Sequence, residues 1–239
     1  MVSFGIKGLK SQAQCNTNLI PNPSFEEYNQ CPNAIRQFGR VKNWTVYQNS
    51  PEYFNACDTT NQAGVPVNAF GHQLASSGDG YAGIISFSLS GQSSGFREYI
   101  GAQLITPLVQ GTKYYVSLKV SPTISVFSSF KYVNNKMGVL FSMTSSTNLP
   151  IPNFAHVYTD SIISDTTTWF TISGSFVADT NYQYVVVGNF FGDGLTSSYL
   201  INPSGSYDHS YYYIDDVCVS TDSLECISNV PVCDDNSHF

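Results

Sequence analysis

Short runs in which apolar residues occupy every second position restrict the fold of this chain more than any other feature. In TKYYVSLKV (112–120), Tyr114, Val116, Leu118 and Val120 would share one face of an extended segment. A period of two is typical of a half-buried β-strand. Four further runs also predict strands: Met137–Met143, Trp169–Val177, Tyr184–Phe191 and Tyr211–Val219.

Two of these runs carry more specific predictions. YVVVGNFF (184–191) is apolar on both faces, so we expect a central strand that is covered on both sides. In YYYIDDVCV (211–219), Asp215 is predicted to lie on the face of Tyr213, Val217 and Val219. A carboxylate on such a face needs a cation or several donors, because its burial is otherwise costly. The alternative is that Asp215 meets water or a backbone N–H at a strand end.

The rest of the pattern favours an all-β chain. No long segment has the apolar spacing and caps of a helix. Aromatic residues, which suit a pleated surface, make up 14% of the chain, and charged residues only 11%. Strands without intervening helices predict an antiparallel sandwich or barrel. The region Asn29–Ser77 is irregular, and we interpret it as long loops on the sandwich.

Six cysteines stand at positions 15, 31, 57, 218, 226 and 233. None forms a CxxC pair and the four histidines do not cluster near them, which argues against zinc. Disulfides in an oxidising compartment are the better interpretation. Cys31 with Cys57, and Cys226 with Cys233, are reasonable pairs, but the sequence leaves the pairing open.

Three segments are predicted along the chain. Residues 1–14 are a signal-peptide remnant, cleaved near Ala13–Gln14, or a flexible arm. Residues 15–220 are the β-sandwich domain with its long early loops, and residues 221–239 are a tail that contains cysteines.

Several function classes are disfavoured. The net charge is −7 with no run of basic residues, so we expect no nucleic-acid partner. No stretch approaches the roughly 20 apolar residues of a membrane-spanning helix. No nucleophile elbow, zincin or phosphate-loop motif is present. A glycosidase would need a pair of carboxylates at its active site. The candidates are Glu98, Asp160, Asp193 and Asp208, but no feature of the sequence pairs any two of them. We therefore expect a protein that is not an enzyme.

Motifs at the two ends of the chain resemble those of a known family. NLIPNPSFEE (18–27), GDGYAGI (78–84), LVQGTKY (108–114) and YYIDDVCV (212–219) follow one another in this order. The order resembles family 4 and 9 type carbohydrate-binding modules of the galactose-binding-like jelly-roll superfamily. Further runs resemble β-sandwich regions of surface proteins from gliding, Bacteroidetes-type bacteria, namely residues 22–32, 51–57, 65–73, 97–101 and 211–219.

The resemblance implies a structural calcium ion that ties the first strand to the last. Ca²⁺ takes about six to eight oxygen ligands, both carboxylates and carbonyls. The matching side chains are Glu26 and Asp215, with Asp79 as a third ligand and Asp216 as a rival.

The resemblance also implies an exported domain that binds a glycan or surface polysaccharide, either secreted or at the bacterial outer cell surface. Sugar rings stack on aromatic faces, and planar polar groups hold their hydroxyls. The predicted ligand-binding residues are Trp44, Tyr53, Arg97, Asn189 and Tyr212, and Tyr47, Phe54 and the tyrosines of 207–212 belong to the wider set.

Two alternatives stay open for this site and this function. Trp44 and Trp169 fit packing residues of the core better than stacking platforms. The alternative function is a structural subunit that docks on an outer-membrane assembly, such as the type IX secretion or gliding machinery.

Overall fold

A computed structural model describes residues 18–89, 95–123, 130–145 and 151–228. The predicted arm 1–14, Cys15 and Cys233 lie outside these ranges. The strands are β1 Trp44–Gln48, β2 Glu52–Asn55, β3 Val67–Asn68, β4 Gly71–His72, β5 Gly80–Ser88, β6 Tyr99–Gln103, β7 Lys113–Pro122, β8 Phe130–Asn134, β9 Met137–Ser142, β10 Val157–Tyr158, β11 Phe170–Val177, β12 Tyr184–Asn189, β13 Ser198–Leu200 and β14 Tyr207–Ser220. One short helix follows, α1 Ser223–Ser228. None of the helices in the described ranges could cross a membrane.

Two sheets form the sandwich. One has five strands in the order β1-β6-β12-β9-β10, and the other has β11-β7-β14-β5-β2 as its main path, with β8 beside β14 and β13 beside β8. Strands β8 and β14 are parallel, and the other strand pairs in the described ranges are antiparallel. The predicted antiparallel β-sandwich is therefore confirmed.

Alternation along the strands builds the core between the sheets. Tyr114, Val116, Leu118 and Val120 of β7 all point into it, as their spacing predicts. Strand β12 is central in its sheet, between β6 and β9. Its residues Val185 and Val187 enter the main core while Val186 packs on the outer face, so the predicted two-sided strand is confirmed. The apolar faces of both sheets are thus removed from water together.

The region 29–77, which we predicted to consist of long loops, also contains strands. Within 29–77 lie β1 and β2, which are edge strands of the two different sheets. Both strands are short, with 5 and 4 residues, so they lack a long alternating pattern. The disulfide between Cys31 and Cys57 is present, as expected.

The pairing proposed for the C-terminal cysteines is wrong. Cys226 bonds to Cys218 of β14 and not to Cys233. The reason is that α1 folds back onto β14 and β7, where the Ser117 hydroxyl donates a hydrogen bond to the Cys226 carbonyl at 2.7 Å.

The predicted face of Asp215 is also wrong. Tyr213 packs in the outer cluster, whereas Val217 and Val219 enter the main core. A bulge between Asp215 and Cys218 places an extra residue in β14, and Asp216 within it has φ 47°. A bulge shifts the alternation by one residue, so Asp215 shares a face with Tyr213 only.

Candidate functional site

An open groove runs over the outer face of the five-stranded sheet, at its β1 edge. Its larger hollow has a volume of about 650 Å³ and is lined by residues of β1, β6 and the start of β12. A neighbouring hollow of about 440 Å³ shares Pro21, Asn43 and Ile105 with it. The two hollows together form one elongated depression, which suits an extended ligand.

Strand register determines which side chains face the groove. Thr45 of β1 is opposite Gly101 of β6, and Gln103 of β6 is opposite Tyr184 of β12. Paired residues point to the same side of a sheet, so these four positions form two rows on the outer face. Thr45 and Gln103 are exposed and the Tyr184 ring is half-buried, which leaves polar groups and one aromatic ring available to a ligand.

Tyr47 forms part of the groove floor. It sits at an irregularity in the β1–β6 register, and its ring lies directly over Gly101. A Cβ at Gly101 would be 2.4 Å from Tyr47 Cε2, so only glycine accommodates the ring here. The side chain is 2% exposed, and its hydroxyl is buried without a hydrogen-bond partner among the described residues. Burial and the neighbouring Tyr184 raise the pKa of Tyr47 to about 12, so the hydroxyl remains a neutral donor.

The larger hollow is uncharged. None of the described residues that line it carries a formal charge, and its polar groups are hydroxyls and amides such as those of Thr45, Gln103 and Asn43. The larger hollow is therefore suited to a neutral, hydroxyl-rich molecule that can also contact the Tyr184 ring.

Of the five predicted ligand-binding residues, the structure places only Trp44 at this groove. Its ring is 4% exposed and packs on Phe25 at 4.8 Å, while Nε1–H donates to the Asn22 carbonyl at 2.9 Å. Trp44 thus touches the groove with one edge and otherwise belongs to the core. The position of Trp44 therefore fits a packing residue better than a platform on which a sugar ring stacks.

The other four are buried and engaged elsewhere. The hydroxyls of Tyr53 and Tyr212 donate to the carbonyls of Phe25 at 2.8 Å and Asn134 at 2.9 Å. Arg97 forms an ion pair with Asp193 at 2.8 Å, and the Asn189 amide bonds to Thr196 and Phe191 within its own loop. These side chains support the fold and present no face to a ligand. The five predicted ligand-binding residues therefore do not lie together at one site.

The Glu26 carboxylate, predicted to bind calcium, accepts backbone hydrogen bonds. Both of its oxygens lie 3.0 Å from the Asp79 nitrogen, and Oε1 lies 2.9 Å from that of Gly80. Gly78 permits this approach, because it has φ 60° and a Cβ there would be 2.3 Å from Glu26 Cδ. Partial burial raises the pKa of Glu26 despite these bonds. Asp79 contributes its N–H here, and its side chain is exposed.

Asp215 is satisfied in the same way. Its carboxylate is fully buried and accepts N–H bonds from Ser76 at 2.8 Å, Ser77 at 3.2 Å and Asp216 at 2.8 Å. Burial, and then the charge of Asp216, raise the pKa of Asp215 well above its usual value. The alternative that Asp215 meets backbone N–H groups describes these contacts.

These residues do not fit a calcium ion held by Glu26, Asp79 and Asp215 together. Within the described ranges, no group of three or more His, Cys, Asp or Glu side chains could hold a metal ion. Calcium stays a prediction of the resemblance, which solution measurements must test.

The carboxylates considered for catalysis are not brought together. Asp193, Asp208 and Asp160 form ion pairs with Arg97, Lys131 and Lys136 respectively. Glu98 lies instead in a separate cavity beside Glu52, a residue that the sequence pattern does not single out.

Comparisons with known proteins give distant matches only. No protein-family model matches the chain, and no curated protein matches it. Among solved structures, it is similar to the CBM22-1-GH10 modules of endo-1,4-β-D-xylanase 10B from Clostridium thermocellum (11% identity, 84% of this chain and 28% of that chain, TM-score 0.40). It is also similar to a family 16 carbohydrate-binding module (13% identity, 84% of this chain and 99% of that chain, TM-score 0.36). A third similar structure is the K2 cleaved adhesin domain of Lys-gingipain (13% identity, 83% of this chain and 96% of that chain, TM-score 0.42). The chain covers 28% of the length of the xylanase structure. Matches at such low identity carry no information about the ligand of this chain.

Proposed function

We propose that this chain is a non-catalytic, exported domain that binds a glycan chain in the groove of the five-stranded sheet. The observation that carries the proposal is the uncharged larger hollow of this groove, with the half-buried Tyr184 ring beside exposed Gln103 and Thr45. Aromatic rings with a few placed polar groups are what a site for a largely neutral ligand requires.

The shape of the groove supports a chain over a single sugar. The two hollows meet at Pro21, Asn43 and Ile105, and the second extends past Glu26 and Glu27 at the end of the sandwich. Ile105 is 59% exposed, so it offers an apolar edge between the hollows. A polysaccharide segment would place successive units along this path.

Export is part of the proposal because of the disulfides. Cys31–Cys57 and Cys218–Cys226 are bonded. Disulfides persist in oxidising environments outside the cytosol. Retention of the purified protein on a panel of insoluble polysaccharides tests the binding, and failure to retain it on any of them would count against the proposal.

The Tyr47 hydroxyl gives a control variant for the groove floor. Tyr47→Phe removes a donor that has no partner among the described residues, so we expect an unchanged or slightly raised melting temperature. Because the hydroxyl is buried beneath the groove, affinity for the retained polysaccharide should stay within about twofold of that of the wild type. Calorimetric titration with fragments of that polysaccharide measures the affinity. A loss of about tenfold or more would contradict this account, because the ligand would then have to reach the buried hydroxyl.

A further inference from the structure

A second cavity lies on the outer face of the seven-stranded sheet. Its volume is about 300 Å³, near the lower end of the range for small-molecule sites. Residues of β2, β5 and β14 form its base, and residues preceding β6 together with Ile35 and Arg36 form its sides. It shares no lining residue with the groove, so a ligand of this cavity is independent of the proposed function.

Two buried carboxylates reach this cavity, one from β2 and one from the segment before β6. Glu52 is 5% exposed and Glu98 is 1% exposed. The Tyr211 hydroxyl donates to Glu52 Oε2 at 2.7 Å. Glu98 accepts the Ile85 N–H at 2.7 Å, and both the N–H and the hydroxyl of Ser50 at 3.2 Å. Both carboxylates are thus fixed in place by neutral donors.

The local structure is adapted to this arrangement. Gly83 pairs with Glu52 across β5 and β2, and a Cβ at Gly83 would lie 2.1 Å from the Tyr211 hydroxyl oxygen. The absence of a side chain at Gly83 therefore lets Tyr211 approach Glu52. This contact positions Glu52 at the cavity.

The charges that face the cavity do not balance. Burial, and then the charge of Glu98, raise the pKa of Glu52 well above its usual value, and burial raises the pKa of Glu98 to about 7. Neither carboxylate forms an ion pair in the part of the chain that the structure describes. Burial lowers the pKa of His209 and raises that of Tyr211, so both are neutral at pH 7. The lining thus holds two carboxyl groups and the single guanidinium of Arg36, so one bound cation would balance the charge when both carboxyl groups release their protons.

Aromatic rings provide much of the remaining lining. Phe130 stacks on Tyr211 with 4.9 Å between centroids, and Tyr207 stacks on His209 at 5.9 Å. Phe70 and Phe96 also line the cavity. Ring faces are negative and attract cations, most strongly where water is excluded. The rings and the carboxylates therefore favour the same ligand charge.

We propose that this cavity binds a small organic monocation through its primary ammonium group, which donates N–H bonds to the Glu52 and Glu98 carboxylates. One positive charge matches the one unbalanced negative charge. A hard metal ion prefers a shell of oxygen ligands, which aromatic sides do not supply. A neutral ligand offers no charge to balance an ionised pair, so the carboxyl groups would keep their protons and the ammonium selectivity would be absent.

The test uses the full chain and four probes in calorimetric titrations at pH 7, where the amine of glucosamine is mostly protonated. Glucosamine and n-butylammonium carry the ammonium group on a sugar and on an alkyl chain, and glucose and N-acetylglucosamine are the neutral controls. We expect saturable binding of at least one ammonium probe and none of the neutral ones. Which of the two ammonium probes binds shows whether the ammonium group of the ligand belongs to an amino sugar or to an alkylamine. Absence of binding by both ammonium probes, or equal binding of N-acetylglucosamine and glucosamine, would overturn the proposal.

Two further measurements assign binding to the carboxylate pair. Glu52→Gln keeps an acceptor for Tyr211 and removes the charge, so it should fold normally and bind at least about tenfold more weakly. Asp179→Asn, at an exposed position outside both the cavity and the groove, is the matched control and should bind as wild type. Because a proton on the pair competes with the ligand, affinity for the ammonium form of the probe should rise about tenfold from pH 6 to pH 8. Unchanged binding in Glu52→Gln, or affinity independent of pH, would contradict the proposal.

Discussion

Asp215→Ala is expected to lower the free energy of unfolding by about 3 kcal/mol or more. The substitution leaves three backbone N–H groups, those of Ser76, Ser77 and Asp216, without their acceptor. Each buried donor without a partner costs about 1–3 kcal/mol, and relief from burying the carboxylate offsets part of the total. Urea unfolding, monitored by tyrosine and tryptophan fluorescence, measures the change through its midpoint.

Asp215→Asn is the matched control for this prediction. Asparagine keeps one carbonyl oxygen that can accept from Ser76 and Ser77, so less than half of the loss is expected. The same titrations with a calcium chelator test the ion that the resemblance implies. Hydrogen bonds alone predict equal stability with and without chelator. A fall in wild-type stability on adding chelator, absent in Asp215→Ala, would contradict this account and support calcium.

Cys31→Ser/Cys57→Ser is expected to destabilise the protein by between about 3 and 4 kcal/mol. The disulfide joins residues 26 apart in the sequence, and the enclosed segment contains β1 and β2. A cross-link of this span restricts the unfolded chain, and the loss of that restriction favours unfolding. Both strands are sheet edges, so the groove at β1 and the cavity at β2 depend on the same link.

Urea unfolding under non-reducing conditions measures this effect. Cys218→Ser/Cys226→Ser is the comparison, because that disulfide spans only 8 residues and is expected to contribute less. Equal losses in the two double variants would show that chain entropy is not the main contribution of the longer link.

The strands can be predicted because their alternation reflects burial directly. Val116 and Leu118 face the core wherever β7 is paired, and Val185–Val187 are apolar on both sides because β12 is central. The bulge at Asp216 cannot be predicted in this way. Its positive φ accompanies contacts with the distant segment 76–77, and a periodic pattern contains no information about such contacts.

The ligand residues are harder to predict than the strands. In the sequence, Tyr53 and Tyr212 cannot be told apart from a tyrosine that binds a ligand. In the structure, their hydroxyls donate hydrogen bonds to backbone carbonyls inside the fold. The sequence predicts Tyr184 only as part of a covered strand, and its place at the groove depends on its pairing with Gln103. Glu52 and Glu98 approach each other only because β2 and β5 pair and the segment before β6 crosses beside them.

The most direct test of the groove is the retention of Tyr184→Ala on the polysaccharide that binds the wild type. Tyr199→Ala is the control, because Tyr199 is 61% exposed on β13 in the other sheet. Loss of an aromatic contact at the centre of a site commonly costs about 2 kcal/mol or more, so we predict at least about a tenfold weaker association for Tyr184→Ala. The control should bind as wild type. Retention of Tyr184→Ala equal to that of the wild type would contradict the assignment of the groove as the glycan site.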